Sequence, residues 1–228
     1  MSFVLLVSGA YAQRAAPGPQ AVYGPHLSVQ PGTAEAPEGH APPSAAGEAT
    51  LQVYAWNAIA LQANALDHTP VAPGELRVFG EQLGPPRSAR ALAIVHLAMF
   101  DALNALAGRY PSYSGLPRAA QRTSAAAAVA RAAHDALAAL YPSQAPRFDA
   151  ALERLPDGAA RANGTDLGRR AASAILAMRA DDDSQYPDPV VGVDFFPSDA
   201  PGKWRPDPVS QSPLALGAYW DEVPPFVV

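Results

Sequence analysis

GPPRSARALAIVHLAMFDALNALAGRYPSY, residues 84–113, decides the fold. Leu92, Val95, Met99, Leu103 and Leu106 recur at steps of three and four, which places them on one stripe of a helix. Pro85 and Pro86 suit a first helical turn, where a missing N–H would be unpaired anyway. Gly108 and Pro111 end the run. Arg90, His96, Asp101 and Asn104 lie within this apolar helix, and buried polar groups need partners. His96 shares a row with Leu92, Phe100 and Leu103 and reads as a core histidine. Arg90, Ile94, Leu97, Asp101 and Asn104 share another row, and a buried Arg–Asp bridge to neighbouring helices is expected from Arg90 and Asp101.

Four more helices read outward from this one. LQVYAWNAIALQANAL (51–66) carries Leu51, Tyr54, Ala58, Leu61 and Ala65 on one side. SAAAAVARAAHDALAALY (124–141) starts at a Ser or Thr cap and stops at Pro142. A short helix follows Ser143 to about Leu155, and Pro156-Asp157-Gly158 is a turn. The fifth helix spans 159–180, where Gly164 and Gly168 stand four apart and leave room for another helix to approach. The chain is therefore expected to be all-α, an incomplete bundle of about five helices.

The ends read differently. Phe3–Val7 is a short apolar run, and Ala10-Tyr11-Ala12 before Gln13 has a small-x-small form. Residues 1–12 are thus expected to be a signal peptide and the protein exported to a periplasmic or extracellular space. Residues 13–48, rich in Pro and Gly, read as a disordered linker. The bundle domain is expected over 49–183. Residues 184–228 are dense in Pro, Asp and aromatic residues and read as an irregular crossover. Trp204, Trp220, Phe195, Phe196 and Phe226 are expected to pin it to the bundle.

The 228 residues carry a net charge of −5 and no cysteine. No basic patch marks a nucleic-acid partner. Disulfides and Cys-based zinc sites are excluded, and no apolar run reads as a membrane span. Asp181-Asp182-Asp183 lacks the glycine and terminal glutamate of an EF-hand loop, so it reads as solvated or paired with Arg179.

Several segments, in order, resemble the N-terminal half of vanadium-dependent haloperoxidases, all-helical proteins of the phosphatidic acid phosphatase type 2 superfamily. They are Trp56-Asn57, ARALAIVHLAMFDALN (89–104), AILAMRADD (174–182), PGKWRP (201–206) and YWDEVPPF (219–226). The resemblance implies a protein that oxidises halides with hydrogen peroxide on bound vanadate, or hydrolyses phosphate esters. It also implies an anion site of lysine, Arg-Pro, Pro-Ser-Gly-His and Gly-x-His-x-x-x-Asp segments. This chain departs from that pattern. Lys203, its only lysine, stands too close to Arg205-Pro206, and no histidine is followed by an aspartate four residues on.

The expectation is accordingly a scaffold fragment with no catalytic, cofactor-binding or metal residues of its own. Trp56, Asn57, Arg90, His96, Asp101 and Asn104 would be structural polar groups. The partner would be a C-terminal catalytic half, in the same chain or a separate one, with a homo-oligomer surface besides. The alternative is a non-enzymatic exported helical domain that binds a partner.

Overall fold

A computed structural model describes residues 45–155, 159–206, 208–209 and 213–227. The signal and most of the linker expected before Ala45 lie outside the described residues. The described chain is all-α: α1 Ala45–Asp67, α2 Pro85–Ala107, α3 Ala125–Leu140, α4 Ala145–Leu152 and α5 Ala159–Met178. Single 3₁₀ turns stand at Pro142–Gln144 and Trp220–Glu222. Among the described residues there is no sheet, only two isolated bridges, Val190 with Leu214 and Val191 with Phe195. α1 begins four residues ahead of the expected boundary, inside the segment read as linker.

The centre of the bundle is α3, which packs against α1, α2, α4 and α5. Its sequence explains this position. Nine of the ten buried residues of α3 are alanine, valine or leucine, and six of them are alanines, so neighbouring helices can come close on several sides. Ser124 caps its N-terminus by accepting from the Ala127 N–H at 3.2 Å. The approach of α5 is the closest, and it uses the glycine pair. A Cβ on Gly164 would lie 2.5 Å from the Ser124 carbonyl oxygen. One on Gly168 would collide with the Ala128 carbonyl and lie 2.8 Å from the Ala132 nitrogen.

α2 ends where expected: Gly108 takes the left-handed conformation at φ 59°, and its N–H returns to the Asn104 carbonyl at 2.6 Å. Its buried face, however, is turned from the expected stripe. Ala91, Ile94, Val95, Ala98, Met99, Ala102 and Ala105 are buried, whereas Leu92, Leu103 and Leu106 sit at the margin. Small residues let α2 press against α3 and α5, and the leucines fill the flanks. By length and composition α2 could cross a bilayer; here half of that stretch is buried in the bundle.

The inner face of α1 is Trp56, Ala60 and Ala63, with Val53 and Ile59 beside them. The side carrying Leu51, Tyr54, Ala58, Leu61 and Ala65 faces outward and is exposed. Alternation alone could not orient this helix because both its sides are apolar; Trp56, the larger group, took the core.

Candidate functional site

Three polar clusters stand out, and each begins with a group that a helix carries into partly or fully buried surroundings. The largest joins the end of α5, the side of α2 and the chain's last described residues. Arg90 donates to Asp182 Oδ2 at 2.7 Å and to the Arg179 carbonyl at 2.7 Å. Asp182 is buried, which opposes its ionisation, but the bonds from Arg90 and Ser184 outweigh that and hold its carboxyl below the usual range. Arg179 is buried too. It donates to the Pro224 carbonyl at 2.7 Å, the Pro225 carbonyl at 3.1 Å and the Tyr113 hydroxyl at 3.0 Å. Its guanidinium lies 3.8 Å from the centroid of the Phe226 ring, and the Tyr113 hydroxyl donates to the Phe226 carbonyl at 2.8 Å. Nearby, Arg87 pairs with Asp188, whose other oxygen accepts from the Gly217 N–H at 2.7 Å.

Of the buried Arg–Asp bridges to neighbouring helices expected from Arg90 and Asp101, the one from Asp101 is corrected. Arg90 pairs with Asp182, 92 residues away. Asp101 instead accepts four bonds from the loop after α2: the Ser112 hydroxyl, the Tyr113 N–H, and the N–H and hydroxyl of Ser114, at 2.5–3.0 Å. Asn104 adds two, to the carbonyl and the N–H of Tyr110. A carboxylate satisfied by backbone amides has no need of an arginine. His96 is corrected as well. It is exposed, and its Nε2 lies 3.1 Å from Asn57 Oδ1, bridging α2 to α1. Of the aromatic residues expected to pin the tail, Phe226 packs on the core. Phe195 and Trp204 pair edge-on within the tail, and Phe196 is 74% exposed.

The second cluster was not anticipated from sequence. His134, on α3, directs Nδ1 to Asp135 at 2.7 Å and Nε2 to Asp149 of α4 at 2.8 Å. Arg131 also donates to Asp135 at 2.9 Å, and Trp56 of α1 stands edge-on to the imidazole. A ring with a carboxylate at each nitrogen is best satisfied as an imidazolium. The bond to Asp135 raises its pKa most, against burial, and the bond to Asp149 adds to it. Burial opposes ionisation of Asp135, and His134 and Arg131 outweigh it. With both nitrogens engaged, this histidine has no free lone pair for a proton or a metal. Its signal in the sequence was a histidine beside an acid, with Asp149 placed within reach only by the fold.

The third cluster superficially resembles a nucleophile, a base and an acid. Ser88 Oγ lies 3.4 Å from His68 Nε2, and His68 follows Asp67. The bonding gives these residues other work. Asp67 is fully buried and accepts from the Glu81 and Gln82 N–H groups at 2.7 and 2.9 Å. His68 Nδ1 faces the Asn64 carbonyl at 2.9 Å, and its Nε2 accepts from the Gly84 N–H at 3.0 Å. A base already holding a backbone proton donor cannot take one from Ser88 without giving that bond up.

Vanadate does not fit these groups. Arg87, Arg90 and Arg179 are spent on carboxylates and carbonyls, and Lys203 lies in the exposed tail. A cleft of about 310 Å³ is present, but Asp194 and Glu222 line it with Tyr186, Tyr219 and two prolines. Carboxylates there would repel an oxyanion. Among the described residues no group of three or more His, Asp or Glu side chains is arranged to hold a metal ion. No family model matches this chain, and neither the curated proteins nor the solved structures give a match.

Proposed function

We propose that this chain is a helical scaffold of the vanadium haloperoxidase-like kind, exported from the cell, whose polar residues hold a fold together rather than perform chemistry. The observation that carries this reading is a convergence. ARALAIVHLAMFDALN, AILAMRADD and YWDEVPPF are far apart in sequence, yet Arg90, Arg179, Asp182 and Phe226 from these segments meet in one cluster. An ordered set of segments that builds one junction supports reading them as a unit. The associated chemistry, halide oxidation on vanadate or phosphate-ester hydrolysis, belongs in this proposal to a catalytic half that supplies the cations and histidines.

Two experiments test it. The purified chain, given bromide, hydrogen peroxide and vanadate, or separately a chromogenic phosphate ester, should show no turnover above a heat-killed control. Saturable turnover would contradict the scaffold assignment. The DNA following the Val228 codon, or an adjacent gene, should encode Arg-Pro and Ser-Gly-His segments; their absence from both would remove the family reading. A partner-binding role draws support from a different observation, the exposed apolar side of α1.

A further inference from the structure

A helix on the surface of a bundle normally turns charged and polar residues outward. α1 does not. Its exposed positions include 51, 54, 55, 58, 61, 62 and 65. They recur at alternating steps of three, one and three, the spacing of a coiled-coil seam with one flanking position. Their residues are Leu, Tyr, Ala, Ala, Leu, Gln and Ala, with no charge among them. Leu51, Tyr54 and Leu61 are 57%, 69% and 50% exposed. The opposite side of the helix already holds Trp56, Ala60 and Ala63 in the core, so rotating α1 cannot hide this one.

The order of sizes along the stripe identifies what covers it. When two copies of this helix lie antiparallel about a two-fold axis at Ala58, each position faces the one whose number averages with it to 58. Leu51 then faces Ala65, and Ala55 faces Leu61, so each leucine meets an alanine. Tyr54 faces Gln62, an amide within reach of a phenol hydroxyl. At the ends, exposed Glu48 faces exposed His68, so no like charges meet there. A parallel pair in register would set Leu51 on Leu51, Tyr54 on Tyr54 and Glu48 on Glu48. Large side chains facing small ones allow two helices to interdigitate closely, and a patch that complements itself is the hallmark of a two-fold dimer.

We propose that the outer face of α1 is a dimer surface, on which a second copy of this chain docks its own α1 antiparallel about Ala58. The Asn57–His96 bond lies at one flank as part of a polar rim. Residues 51–65 span about 21 Å of helix. A single seam of that length buries less than the roughly 1,200–2,000 Å² of stable dimers, so the association is weak and depends on concentration. This inference is independent of the scaffold reading, since activity assays do not bear on it.

Sedimentation equilibrium of the full chain should show a reversible monomer–dimer equilibrium. Ala58→Glu sets two carboxylates together at the axis and should weaken association by about tenfold or more. Ala58 is exposed, so the melting temperature at low concentration should stay unchanged, which separates lost pairing from lost folding. The chain has no cysteine, so single thiols report the register. Leu51→Cys mixed with Ala65→Cys should link through a short thiol cross-linker much faster than Leu51→Cys with itself. Ser173→Cys, exposed on α5, gives the background rate. A monomer at every concentration would overturn the proposal. So would Leu51→Cys linking to itself faster than to Ala65→Cys, or an Ala58→Glu variant that associates like the parent.

Discussion

The bundle of α1–α5 and the segment from Arg179 to Val227 are held by different physics. In the bundle, alanines and two glycines bring backbones close, and stability comes from packed apolar area. In the tail, apolar burial is sparse. Val190, Val193, Phe196, Val209 and Val227 are all exposed. The tail instead hangs on arginines: Arg87 on Asp188, Arg90 on Asp182, and Arg179 on the carbonyls of Pro224 and Pro225. Packed area is spread over many contacts and yields slowly to any one change, except where a backbone would be struck. A staple yields at once when a single partner is lost. Two regions of one chain should therefore fail separately and for different causes.

Gly168→Leu should produce the largest effect on global stability. The new side chain would meet the Ala128 carbonyl and the Ala132 nitrogen, neither of which can rotate away. Overpacking costs about 1–3 kcal/mol where side chains can adjust; with backbone in the way, a loss of about 3 kcal/mol or more is expected in urea melts. A near-neutral result would mean α3 and α5 do not approach as described.

Asp101→Ala comes next. It strands the Tyr113 and Ser114 N–H groups and two hydroxyls. Lost hydrogen bonds to a carboxylate are worth about 1.5–3 kcal/mol, and a destabilisation of about 2 kcal/mol is expected. Part of the loss should appear as faster proteolysis between Tyr110 and Leu116.

The His134 clasp gives a smaller, pH-dependent effect. Its folded pKa is raised by Asp135 and Asp149. Stability from it is thus complete below the ordinary histidine value of about 6.5 and is lost as pH rises through the folded value. Parent and His134→Gln should differ by about 1–2 kcal/mol at pH 5, on the scale of bonds to a charged group, and converge at high pH. A gap that widens with pH would show that the ring is held neutral.

The smallest global effect is expected for Arg179→Ala, which removes three bonds and the contact with Phe226 but leaves Arg90 on Asp182. The melt of the bundle should move little, while protease sensitivity of residues 213–227 should rise clearly.

The same division governs what the sequence could tell. Helical periodicity places four of the five helices to within a few residues because local spacing carries it, while α1 starts six residues before the run at Leu51. Gly164 and Gly168 announced a close helix approach for a similar reason. The partners of Arg90 and Asp101 were not legible, since each lies across a loop or a hundred residues away, and charge alone does not choose among them. The outward side of α1 is not legible because both its inner and outer stripes are largely apolar. The role of His134 is not legible in the sequence because its second acid, Asp149, becomes a neighbour only when α4 folds back on α3. The tail's aromatic residues misled as well: Phe226 does pack on the bundle, but Trp204 turns to Phe195 within the tail.

The most direct test of separate support is amide hydrogen exchange on an Asp182→Ala variant compared with the parent chain. Loss of this carboxylate leaves Arg90 with only the Arg179 carbonyl and frees the start of the tail. Exchange should quicken strongly over residues 184–206, which follow the lost contact, while the amides of Val129 to Leu137 in α3 keep their parental protection. If the α3 amides lose protection in step with the tail, the two regions form one cooperative unit and the account is wrong.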